Sequence, residues 1–256
     1  MIADTPLLVL SFVVGLCFGS FLNVVIFRLP LGQSLTHPPS RCMACGSKLR
    51  WRDNVPILSW TLLGGKCRKC RAPISIQYPV VELVTGVLFV LVVWLTPVGP
   101  LLFSRLIFVC ILIVLFGIDL EHQILPNTIT LPGIAIGLIF SFIAPPGWRS
   151  SLIGIVIGGG SLYGIAAAYY LVRREEGLGM GDVKMLAMIG AFLGWKAVLV
   201  TLVLSSFSGA LLGLALIAVQ RGSMRLALPF GTFLALGALA AMFVGDPLLA
   251  WYAQFL

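Results

Sequence analysis

Charge is scarce in this sequence. Asp, Glu, Lys and Arg make up 10% of its 256 residues, where a soluble domain carries about a quarter. Set against 59% hydrophobic residues in long uncharged runs, that deficit excludes a soluble chain built on one large core and points to membrane spans. Acids are the rarer sign, nine against seventeen Lys and Arg. The N-terminus has no basic leading region, carries Asp4 where positive charge would be expected, and shows no small-x-small cleavage site. A removable signal peptide is therefore not expected, and the stretch from Pro6 to Phe27 reads as a retained span. No convincing internal repeat and no low-complexity tract is present.

Eight apolar segments are there instead, at 6–27, 78–96, 101–118, 128–144, 151–172, 184–195, 197–219 and 226–245. Most approach the roughly 17–25 residues a helix needs to cross hydrocarbon; the sixth is short. The expected fold is all-α and polytopic, with about eight transmembrane helices and a polar loop between the first and second. The expected division is a first span at 1–27, a loop at 28–77 and a membrane domain at 78–256. Small residues recur within spans, as at Gly154, Gly158, Gly159, Gly160 and Gly164, and are read as helix packing.

The basic residues orient the chain. Between Arg28 and Arg71 nine Lys or Arg stand against a single acid, Asp53. A basic patch can serve nucleic acid or anionic lipid, but beside a span it marks the cytoplasmic side. With this loop inside and the N-terminus outside, Arg173, Arg174, Lys184, Arg221 and Arg225 also fall inside, giving fourteen of the seventeen basic residues. Only Arg105, Arg149 and Lys196 fall outside.

The loop holds Cys42-x-x-Cys45 and, after 21 intervening residues, Cys67-x-x-Cys70. Two such pairs suit a tetrahedral four-thiolate zinc site, with Gly46 free to make a knuckle turn. Two disulfides or a redox dithiol are the competing readings, and a cytoplasmic loop disfavours structural disulfides. Four thiolates leave no open position, so the metal is expected to be structural and to supply folding energy. No nucleic-acid partner is expected in this lipid-anchored setting. Cys17 and Cys110 lie within spans and read as small buried hydrophobes.

Two aspartates stand at the cytoplasmic boundary of spans: Asp119 at the end of the third and Asp182 at the start of the sixth. Ionisable residues at membrane depth are functional candidates by default. Asp182 also reads as an N-cap after Gly179 and Gly181. Asp119 sits at a helix C-terminus, where the macrodipole disfavours negative charge. Two carboxylates in a partly dry site hold a base and an acid together, the pairing that hydrolyses a peptide bond. Gly179 and Gly181 would let a substrate strand run close to the backbone. Glu121 is a weaker partner, on another face of the helix. His122 reads as a solvated loop histidine, and Asn23 and Arg28 as interhelical bonding and snorkelling. Trp94, Trp148, Trp195 and Trp251 read as interfacial anchors.

The whole chain resembles the type IV prepilin peptidases. In order, it shows Gly19-Ser20-Phe21-Leu22-Asn23 through Arg28-Leu29-Pro30, the paired C-x-x-C motifs, and Tyr78-Pro79-Val80-Val81-Glu82. Asp119 through Leu125-Pro126-Asn127 follows, then Gly179-Met180-Gly181-Asp182-Val183-Lys184 and Pro229-Phe230-Gly231. The resemblance implies an inner-membrane enzyme that cuts the basic leader from prepilins or pseudopilins with an aspartate pair, here Asp119 and Asp182. It further implies N-methylation of the new N-terminus from S-adenosylmethionine by members with a cysteine-bearing loop, and Glu82 falls on a motif tied to that half as a cofactor-binding candidate. Asn127 stands where many members have Asp and Thr232 where Pro is common; neither is expected to touch the catalytic pair. No glycine-rich cofactor fingerprint is present in the loop.

Rival classes make distinct demands. An ion-coupled transporter would place its acids near the midplane of paired halves. A zinc-ribbon adaptor leaves Asp119 without a role. A presenilin-type intramembrane protease shares the Gly-x-Gly-Asp element and would cleave within the bilayer.

Overall fold

The computed structural model describes residues 4–175, 179–220 and 229–255. They form two compact units, one ending at Val114 and one starting at Leu115. All longer elements are helices, and no strand occurs among the described residues. Six helices are long and apolar enough to cross a membrane.

In the first unit, α1 (Thr5–Arg28) packs along α3 (Gln77–Leu95). Gly19 makes the approach close: a Cβ there would lie 2.6 Å from the Glu82 Cα. The Asn23 amide reaches across to the Tyr78 carbonyl at 3.1 Å, the interhelical bonding expected of it. Between these helices in sequence lie a 3-10 turn (Trp51–Asp53), the short α2 (Leu58–Leu62) and the cysteine knuckles. α4 (Pro100–His122) opens on a proline, whose fixed φ and missing N–H suit a first helical position. Residues Val9, Leu10, Val13 and Phe21 of α1 are exposed, an apolar face suited to lipid rather than water.

The second unit holds the end of α4, α5 (Asn127–Ser141), α6 (Trp148–Arg173), α7 (Met180–Gln220) and α8 (Phe230–Tyr252). The expected spans at 184–195 and 197–219 are one element broken at Gly194, whose φ of 78° and ψ of 173° interrupt the helix. Pro146 and Ser150 pack against Gly194, so neither its backbone nor its surroundings accept a side chain. With α7 counted as two halves, each of the eight expected apolar segments is helical over most of its described residues. α5, at 15 residues, rises only about 22 Å, short of the hydrocarbon thickness. Arg221, Arg225 and the first residues of the expected 226–245 span lie outside the described residues.

α6 and α7 meet backbone to backbone. A Cβ on Gly154 would lie 2.9 Å from the Gly194 carbonyl carbon, and one on Gly190 would collide with the Gly154 carbonyl. Ser151 donates to the Ala191 carbonyl at 2.6 Å, and Ser205 of α7 donates to Phe233 of α8 at 2.9 Å. Packing explains Gly154 and Gly158 but not Gly160 or Gly164, which have open space where a Cβ would stand. Gly190→Leu should therefore lower stability in detergent by about 1–3 kcal/mol through overpacking, seen as an earlier thermal unfolding midpoint. An unchanged midpoint would show that the helices can separate without loss.

Candidate active site and metal centre

Asp119 lies in the last turn of α4 and is 4% exposed. The helix runs three residues past it to His122, so the carboxylate still stands at an unfavourable helix end. Another helix compensates: Oδ2 of Asp119 accepts the Thr232 backbone N–H at 2.8 Å, from the third residue of α8. Asp182 is the third residue of α7 rather than its N-cap, and its N–H donates to the Gly179 carbonyl at 3.1 Å. It is half-buried, and the charge of Asp119 acts on it directly. Residues 63 positions apart in sequence are thus brought within electrostatic reach.

Leu125, in the connection from α4 to α5, is the wedge that sets this geometry. A Cβ on Gly181 would lie 2.9 Å from Leu125 Cβ, and one on Gly231 would lie 3.0 Å from Leu125 Cδ1 and 2.8 Å from Asp119 Oδ2. The starts of α7 and α8 close on the same leucine, and only glycine leaves it room. Gly181 therefore faces Leu125, while Gly179 stays exposed beside Asp182. Lys184 donates to the Asn127 side chain at 2.8 Å, tying the first turns of α5 and α7 together. The expectation that Thr232 stands clear of the catalytic pair is corrected: its N–H bonds Asp119. Leu125 and Gly231 lie within the family-like motifs, but their residue types alone assign them no role. The signal for Thr232 was its place just past Pro229, where a helix opens with N–H groups that lack partners.

Glu121 and His122 are exposed and only 3.8 Å from one another, and neither joins the pair.

In the first unit the four cysteine sulfurs lie within 4.8 Å of one another, and Cys42 and Cys70 approach to 3.7 Å. Sulfurs around a tetrahedral zinc stand about 3.8 Å apart, so the donor set fits that ion. Each C-x-x-C forms the same turn, closed by Gly46 N–H to the Cys42 carbonyl at 2.8 Å and Arg71 N–H to the Cys67 carbonyl at 3.0 Å. Gly46 and Arg71 both take positive φ, 67° and 60°; the glycine was legible, the arginine was not. The Ser47 hydroxyl, 3.0 Å from Cys45 Sγ, and the Ser47 N–H draw the Cys45 thiol down to about 6. The N–H groups of Cys70 and Lys69 lower Cys67 as well. Both favour the thiolates a metal needs.

Beside the knuckles lies a cavity of about 1110 Å³ whose wall includes Ser20, Asn23, Arg28, Arg41, Trp60 and Glu82. Its two lining carboxylates differ. Asp53 is paired with Arg68 at 2.8 Å. Burial would raise its carboxyl, but the Arg68 hydrogen bond and charge outweigh that and hold it below its ordinary value. Glu82 is 7% exposed and has no cationic partner among the described residues. Its Oε2 accepts the Ile57 N–H at 2.7 Å. Ile57 has φ 59° and ψ −53°, a backbone that costs a β-branched residue about 1–3 kcal/mol and recurs at ligand sites.

The bacterial peptidase A24 N-terminal domain model matches residues 13–96, and the type IV leader peptidase family model matches residues 106–214. A prepilin leader peptidase/N-methyltransferase of Stutzerimonas stutzeri is 36% identical, covering 99% of this chain and 97% of its own length. The Pseudomonas putida protein of that name is 37% identical over 96% of this chain and 94% of its own. The one from Myxococcus xanthus is 43% identical over 85% of this chain, which spans 65% of that relative's length. No solved structure matches.

Proposed function

This chain belongs to the type IV leader peptidase family, and from that premise we propose that it cuts the basic leader from prepilins or pseudopilins and methylates the new N-terminus. It is a polytopic membrane protein. Asp119 and Asp182 are the catalytic pair, and Gly179 and Gly181 keep the backbone open to the substrate strand beside Asp182. The observation that carries this reading is the pairing of two carboxylates from distant helices, one of them buried and anchored to a third helix. Such a pair holds one proton between them and supplies base and acid together. The charge asymmetry supports work at the cytoplasmic face, with the N-terminus outside, and the inner membrane is the one the family resemblance implies. The presenilin-like and transporter readings find no support among the relatives.

Methylation falls to the loop at 28–77 and its anchoring helices, cleavage to the helices beyond 78. Zinc in the Cys42, Cys45, Cys67 and Cys70 cluster is structural. S-adenosylmethionine would supply an electrophilic methyl group. The cavity suits it chemically: a buried carboxylate with no cationic partner among the described residues would meet its cationic groups, and a basic rim including Arg28 and Arg41 would meet its carboxylate. Glu82 is the residue we assign to that cationic end.

The deciding experiment incubates the purified protein with a prepilin peptide and methyl-labelled S-adenosylmethionine. A trimmed peptide carrying label at its N-terminal nitrogen supports the reading; an intact peptide sinks it. Glu82→Gln should weaken S-adenosylmethionine binding in calorimetry by roughly tenfold, the effect of one lost charge contact, while leader cleavage persists. Unchanged binding would return Glu82 to a purely structural role.

A further inference from the structure

The two carboxylates of the pair are not equivalent. Thr232 is the third residue of α8, after Pro229 at the N-cap, and the first four N–H groups of a helix have no partner within it. Asp119 provides that partner at 2.8 Å, and the Gly231 N–H of the same turn acts on it more weakly. Asp182 has no side-chain hydrogen-bond donor among the described residues. An N–H group is complementary to a carboxylate oxygen and not to the hydroxyl of a carboxylic acid.

Resting on the dyad reading above, we propose that the backbone N–H of Thr232 sets the roles within the pair, making Asp119 the base that activates water and Asp182 the acid. As the water oxygen bonds to the scissile carbonyl carbon, Asp119 takes a water proton and Asp182 gives its own to the carbonyl oxygen. When the tetrahedral species collapses, the C–N bond breaks and its electron pair goes to nitrogen, which takes the proton held on Asp119. A hydroxyl proton returns to Asp182 as the carbonyl reforms, and both groups are restored. Thr232 is a positioning residue in this scheme; it touches no substrate.

The other charged groups near Asp119 do not offer the same control. Asp182 faces it from α7 and repels it. Glu121 and His122, on its own helix, are exposed and near each other. Lys184 of α7 is engaged with Asn127, a neutral residue at the start of α5. The first turn of α8, Phe230-Gly231-Thr232-Phe233, presents no titratable side chain.

Thr232→Pro removes the N–H and keeps the helix, because proline is tolerated in a first turn. The acid limb of its pH–rate profile for prepilin peptide cleavage should move to higher pH by roughly one unit, the effect of one backbone donor on a carboxylate. Thr232→Val keeps the N–H, and its acid limb should coincide with that of wild type. An amide-to-ester replacement at position 232, which deletes the N–H without a ring, should reproduce the proline shift. If the ester and proline variants both follow the wild-type profile while Asp119→Ala is inactive, this proposal fails and the dyad stands. If Asp119→Ala still cleaves, the dyad reading itself fails.

Discussion

Asp119→Ala and Asp182→Ala should each lower leader cleavage by at least roughly a thousandfold, while Glu121→Ala should cleave like wild type. The size of the loss follows from the chemistry. Attack on an amide needs a proton removed from water and another delivered to oxygen, and neither carboxylate can do both at once. Removing either leaves the other with the wrong complement of protons. Because the two act as one unit, the double variant should be no worse than either single change. Glu121 sits two residues from Asp119 on the same helix yet is exposed, so it serves as an internal control for charge near the site. Rates from a quenched peptide in detergent check all four variants against wild type. An Asp182→Ala enzyme within tenfold of wild type would end the case for a dyad.

Cys67→Ser should abolish metal binding and dismantle the loop. Cys67 is 4% exposed and the most enclosed of the four ligands. Its N–H and carbonyl also close the second knuckle, to Ala72 at 2.8 Å and from Arg71 at 3.0 Å. The loop has little apolar core of its own: Trp51, Leu58 and Leu62 are exposed. Metal ligation would therefore be the main source of folding energy there, on the order of 10–16 kcal/mol for a structural zinc site at neutral pH. Zinc content should fall from one per chain to none, residues 28–77 should become protease-sensitive, and methyl transfer should drop by more than roughly tenfold. Chelation of the wild type should do the same. A variant that keeps its loop protected without metal would show that the loop folds on its own packing.

Much of the site was readable from residue type and spacing. The two C-x-x-C pairs name the candidate ligands because a tetrahedral thiolate site requires four sulfurs at knuckle spacing. The aspartates declare themselves because a carboxylate at a membrane boundary is costly without a task. Helix positions follow from uncharged runs, with ends marked by proline at Pro100, Pro126 and Pro229. Other features gave no such signal. Arg71 adopts the positive φ that its knuckle demands, and no property of arginine announces it. Asp182 looked like an N-cap because Gly-Met-Gly precedes it, yet the helix begins two residues earlier.

By itself, then, this sequence determined a membrane-embedded helical chain and singled out four candidate metal ligands and two candidate reactive carboxylates, because hydropathy, ligand chemistry and the cost of charge in lipid act at the level of single residues. Only the tertiary structure decided that Asp119 is held by an N–H 113 positions away, and that Leu125 wedges between Gly181 and Gly231. It also decided that Glu82 meets a strained turn at Ile57, and that two expected spans are one helix broken at Gly194. Each of these depends on where helices distant in sequence come to rest against one another. In lipid that is settled by close backbone packing and interhelical hydrogen bonds, which leave no periodic trace along the chain.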